Sequence, residues 1–98
     1  MQAELIPAKV FCASHAIEQS FIQTLYESGL IDITYIEEDP FVPVAQLEQL
    51  ERIVRMYFEM DINVEGIETI IHLLQRMHSM QQEMTILKNR LHLYESGF

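Results

Sequence analysis

Along the 98 residues the spacing of apolar positions changes several times, and each change marks an element. From Pro7 to about His15 the stretch PAKVFCASH predicts a short helix, with proline favoured in the first turn and Val10 and Phe11 facing inward. After a brief turn, Ile17, Phe21, Ile22 and Leu25 form an apolar stripe at helical spacing. Ser28-Gly29 predicts where that helix stops, with Gly29 in the left-handed conformation. Helix, short turn and helix are the first two parts of a helix-turn-helix.

The pattern then alternates. In LIDITYIEED, Ile31, Ile33 and Tyr35 fall on one side and Asp32 and Thr34 on the other, and the β-branched content predicts a strand. Pro40 and Pro43 flank Phe41 and Val42, so EEDPFVPV is expected to be neither helix nor central strand. Residues 32–43 read as a wing-like hairpin or loop. A third helix is expected from Val44 to about Met60, on the recurrence of Leu47, Leu50, Val54 and Tyr57. Asp-Ile-Asn interrupts it, and Asn63 is the expected N-cap of the next helix.

From Val64 to about Tyr94 the periodicity is strongest. Ile70, Met77, Met84 and Leu91 repeat at seven, and Leu73, Met80, Leu87 and Tyr94 repeat at seven three places later, the a/d seam of a coiled coil. Ser79-Met80-Gln81-Gln82 has the form of a capping box and would permit a break near His78, but the unbroken heptad phase favours one helix. The closing Ser-Gly-Phe is expected to fray. The chain is thus expected to be mainly α and a single domain overall, with a winged module over 1–62 and a helical dimerisation segment over 63–98.

Composition supports a folded chain, with 49% hydrophobic residues and only three Gly and three Pro. A single Cys12 excludes an internal disulfide, and no stretch approaches the roughly 18 apolar residues of a membrane span, so a cytoplasmic location is expected. Charge changes the picture more. Fifteen acids face six Lys and Arg, for a net −9, and residues 1–44 carry seven acids against Lys9 alone. A DNA-binding module needs on the order of six to ten phosphate contacts, whereas residues 1–60 contain only Lys9, Arg52 and Arg55. Nucleic acid is an unfavoured partner and a basic protein surface a favoured one.

Candidate chemistry is sparse. His72 and His78 are six apart and point to different faces of a helix, while Cys12 with His15 supplies two ligands and no closed metal site. No glycine-rich phosphate loop or nucleophile elbow is present, so neither enzyme activity nor a metal or cofactor is expected.

The order of elements resembles that of the MerR-type regulators, winged helix-turn-helix proteins that dimerise through an antiparallel coiled coil. Their second helix ends in a run like L-R-Y-Y-E-R-x-G-L-L; the matching residues here are Ile22 to Ile31, which keep the packing positions and Gly29 but place Gln23 and Glu27 where the family has arginine. The chain more closely resembles the CbpM chaperone-modulator family, a MerR-like branch. The resemblance rests on Phe11-Cys12 with His15, Glu27-Ser28-Gly29-Leu30-Ile31, Asp61-Ile62-Asn63-Val64-Glu65-Gly66-Ile67 and Leu87-Lys88-Asn89-Arg90-Leu91. Members of that family carry tryptophans in the wing and before the fourth helix, and this chain has none.

That resemblance implies a MerR-like winged helix-turn-helix with a short β wing and a long C-terminal coiled-coil helix. It also implies a non-enzymatic modulator that binds the J-domain of a CbpA/DnaJ-like co-chaperone and blocks its engagement of the Hsp70 DnaK. Chosen by charge and position, the candidate partner contacts are Glu27, Asp32, Glu37, Glu38 and Asp39; the candidate homodimer contacts are Ile70, Leu73, Met77, Met80, Met84, Leu87 and Leu91. The alternatives are a MerR-type DNA-binding transcription regulator, or an adaptor whose seam receives a helix from another protein.

Overall fold

The structure, a computed structural model, describes residues 4–96. They fall into two compact units that divide between Glu68 and Thr69. Of the closing Ser-Gly-Phe expected to fray, Ser96 is helical, and Gly97-Phe98 lie outside the described residues.

The first unit opens with strand β1 (Leu5–Pro7) and helix α1 (Ala8–His15). Pro7 precedes the helix with extended backbone, where its missing N–H costs nothing. Ala8, Phe11 and Cys12 are buried at i, i+3 and i+4. Val10 is 53% exposed, contrary to the inward position expected for it, because it lies about 200° around the helix from Ala8. Helix α2 (Gln19–Glu27) buries Ile22 and Leu25 and leaves Phe21 half-buried.

Strands β2 (Thr34–Ile36) and β3 (Asp39–Pro43) form the wing, and β3 also pairs antiparallel with β1. The order β1-β3-β2 makes β3, with Pro40 and Pro43, the central strand, which overturns the expectation that it would not be. The stagger explains how: β3 meets β2 over Asp39 to Phe41 and β1 over Phe41 to Pro43, so Phe41 alone is paired on both sides. Pro40 and Pro43 each have one neighbour only, and a missing N–H is tolerated where one side of the strand is free. The alternation expected through LIDITYIEED fails as well. Ile31 is buried, but Tyr35 on the edge strand is 51% exposed.

A 3-10 turn (Val44–Gln46) leads into α3 (Leu47–Phe58). Its buried residues are Leu50, Ile53 and Met56, whereas Leu47, Val54 and Tyr57 flank them half-buried. The apolar face is therefore broader than the expected stripe and centred on Ile53. Ile22, Leu25, Val42, Leu50, Ile53 and Ile67 are the largest fully buried side chains, and they come from α2, β3, α3 and the start of α4. Burying such a side chain contributes roughly 1.5–3 kcal/mol, so this handful of residues sets the stability of the unit.

Asn63 caps the last helix, α4 (Val64–Ser96), as expected: its Oδ1 accepts the Gly66 N–H at 2.8 Å and its carbonyl accepts the Ile67 N–H at 2.9 Å. The helix runs unbroken through Ser79, so the capping-box pattern there goes unused. Its 33 residues correspond to a helix about 50 Å long at 1.5 Å per residue.

Candidate functional site

The α2 helix and the wing present one exposed surface of the first unit, on which the candidate partner contacts stand. Inward-facing Ile22 and Leu25 fix the rotation of α2, which leaves Gln23, Thr24, Tyr26 and Glu27 exposed. Gly29 ends the helix at φ 77°, and the Leu30 N–H closes onto the Leu25 carbonyl at 3.0 Å, the stop that the sequence predicts.

Two glutamines hold the turn beyond Gly29. The Asp32 N–H donates to Gln46 Oε1 at 2.8 Å while Gln46 Nε2 donates to Asp32 Oδ2 at 2.9 Å. Gln49 Nε2 donates to the Leu30 carbonyl at 2.9 Å. This clamp ties the turn after α2 to the start of α3. It also assigns Asp32 a structural task, since one oxygen of the carboxylate predicted for a partner is taken by Gln46. The Tyr35 hydroxyl donates to Gln23 Oε1 at 3.0 Å and so joins the wing to α2. Neither Gln46 nor Tyr35 was a candidate from sequence, because both bonds span more than ten residues.

Glu37, Glu38 and Asp39 come together at the wing tip. Ile36 pairs with Asp39, which leaves Glu37-Glu38 as a two-residue turn, at φ 50° and 72°. Hairpins of this kind prefer Asn-Gly because both central residues are left-handed. For other residues that conformation costs roughly 1–2 kcal/mol each. Glu27 is also placed at a cost, as the last residue of α2 at the negative end of the helix dipole. Three of the five predicted contacts therefore occupy positions where an acid lowers stability, a pattern that directs attention to function.

No Lys or Arg lies between Val10 and Glu51, a stretch with eight acids. Residues 1–68 hold 13 acids against three Lys and Arg, a net −10, while residues 69–98 hold two against three, a net +1. The acidic field thus belongs wholly to the first unit.

Other candidate residues lie elsewhere. Cys12 is buried, which pushes its thiol above the usual range by desolvation. His15 stacks on Phe11 at a centroid distance of 4.0 Å, and its Nε2 is 4.0 Å from Glu51 Oε1. Among the described residues no helix is long and apolar enough to cross a membrane.

In the second unit the helical seam is open. Leu73, Met77, Met80, Met84, Leu87 and Leu91 are each between 53% and 67% exposed, while Ile70 is half-buried. The heptad series expected from sequence is thus a continuous exposed apolar stripe on one helix.

The model of the family described as MerR HTH family regulatory protein matches residues 6–89. No curated protein and no solved structure matches the chain.

Proposed function

The chain belongs to the MerR HTH regulatory family, and from that premise we propose that it regulates by binding a basic surface on a partner protein rather than DNA. The observation that carries this reading is the placement of Glu27, Glu37 and Glu38 at stability-lowering positions of the two elements that would otherwise approach phosphate. Between Val10 and Glu51 there is no Lys or Arg. Phosphate would be repelled by this face, and a Lys- and Arg-rich helix attracted to it.

The resemblance to the CbpM family names a candidate, the J-domain of a CbpA/DnaJ-like co-chaperone. Covering its basic helix with the wing tip and α2 would exclude Hsp70 sterically, without chemistry. Homodimerisation through Leu73 to Leu91 completes the proposal, since a stripe of six large apolar side chains on one helix is the surface that a second helix buries.

Titration of such a J-domain with the full chain tests the reading. Affinity is expected to fall as salt rises. Reversing Glu37 and Glu38 to lysine is expected to weaken binding at least about tenfold, or 1.4 kcal/mol. Unchanged affinity would remove the wing from the proposal. The family match supports a DNA-binding transcription regulator no less. Saturable binding to genomic fragments in a low-salt gel-shift assay would favour that second reading.

A further inference from the structure

A second surface of the first unit has a different character. Phe21 of α2 meets Tyr57 and Phe58 at the end of α3, with ring centroids 4.7 Å and 5.3 Å away, and Tyr57 and Phe58 are themselves 4.9 Å apart. Phe21 and Tyr57 are half-buried, but Phe58 is 53% exposed, a large ring with one side uncovered. Three adjoining depressions share Phe58 in their walls. The first, of about 450 Å³, lies between Ile17, Phe21, Tyr57, Phe58 and Val64. The second continues past Ala16 and Val54, and the third past Ile62.

Charge around this groove is one-sided. Glu18, Glu51, Glu59 and Asp61 stand in its walls, against Arg55 as the one Lys or Arg there among the described residues. Phe21 and Gln23 are two residues apart, about 200° around α2, so the groove and the face that carries Gln23 lie on opposite sides of that helix.

We infer that this groove is a separate docking site for a short amphipathic helix of a partner protein, one that carries large apolar anchors flanked by Lys or Arg. Apolar side chains interspersed with acids along the groove suit such a helix on both counts. Side chains at i and i+4 of the incoming helix, about 6 Å apart, would enter neighbouring depressions on either side of Phe58. The flanking cations would meet Glu18, Glu59 and Asp61. The inference does not depend on what binds the wing.

The test uses a fluorescein-labelled amphipathic peptide of roughly four helical turns, with two leucines at i, i+4 and flanking lysines, titrated against the full chain by anisotropy. Companion peptides carry glutamates for the lysines or serines for the leucines. Saturable binding of the lysine peptide is expected, with both companions at least about tenfold weaker. Phe58→Ala is expected to weaken binding about tenfold or more. The exposed double variant Glu18→Gln/Glu59→Gln, which removes no packing, is expected to weaken it and flatten its salt dependence. Glu37→Lys/Glu38→Lys should leave it unchanged, which separates this site from the wing. Amide shift changes on peptide binding should centre on Ile17, Phe21 and Phe58.

Equal affinity for lysine and glutamate peptides would overturn the inference, as would shift changes confined to residues 69–96. A dimer that becomes a monomer on Phe58→Ala would also overturn it, by showing that a second copy occupies the groove.

Discussion

The Tyr35 hydroxyl donates to Gln23 Oε1 across 3.0 Å, which ties the wing to α2 at one of the two positions where the MerR-type run resembled by Ile22 to Ile31 carries arginine. The side chain at that position is here engaged by an intramolecular hydrogen bond on the exposed surface. The bond makes the wing and α2 one surface, and its removal gives a direct measure of that coupling.

Tyr35→Phe keeps the ring and deletes the donor. An exposed neutral hydrogen bond is worth about 0.5–1.5 kcal/mol. Amide exchange is expected to speed up at residues 34–36 while the amides of Leu50 and Ile53 in the core keep their protection. Unaltered exchange in the wing would mean that the strand ladder alone holds it.

The strained turn predicts opposite changes in stability and binding. Glu37→Asn with Glu38→Gly relieves two left-handed non-glycine residues and should stabilise the fold by about 1–3 kcal/mol. For a domain of this size each kcal/mol raises Tm by about 4–8 °C. Loss of two charges at the tip should weaken binding to a basic partner in the same variant. A rise in Tm with undiminished affinity would separate the turn from recognition.

At Gly29 the left-handed backbone can be tested without a steric complication, since a Cβ there would meet nothing within 4 Å. Gly29→Ala is expected to cost about 1–2 kcal/mol, from backbone conformation alone. Urea denaturation should show a lower midpoint with the same slope.

The open stripe on α4 predicts that Met80→Glu with Leu87→Glu abolishes self-association. Sedimentation at tens of micromolar should show a dimer for the parent chain and a monomer for the variant. Near-ultraviolet signals from Phe21 and Tyr57 in the first unit should persist. A parent chain that sediments as a monomer would end the dimer proposal.

Burial of Cys12 gives a pH dependence with a definite sign. Its folded thiol ionises above the unfolded one, so the neutral form is favoured by folding, and the stability it contributes is complete below the unfolded pKa. That contribution is lost as pH rises from there through the folded pKa. Stability of the parent is expected to fall more steeply above about pH 8.5 than that of Cys12→Ala. Parallel curves would show that the thiol is not desolvated.

Much of this architecture was legible from local rules. The stop at Gly29, the cap at Asn63 and the heptad phase through Ser79 are properties of a few neighbouring residues, whose backbone preferences and periodicity act within one or two turns. The acidic bias needs only counting. Other features depended on partners distant in sequence. The central position of β3 follows from its stagger against β1 and β2, which leaves Pro40 and Pro43 each with a free side. The inward rotation of α3 toward Ile53 was decided by what it packs against.

Helix order, a wing, an apolar heptad series and the sign of the field follow from short-range conformational energy and from charge, which neighbouring residues carry. That Asp32 is held by Gln46, that Gln23 is engaged by Tyr35, and that Phe21 meets Tyr57 and Phe58 in a groove follow from tertiary packing. Those contacts join residues between 12 and 37 positions apart. Their pairing is settled by packing of the whole unit, and no local pattern carries it.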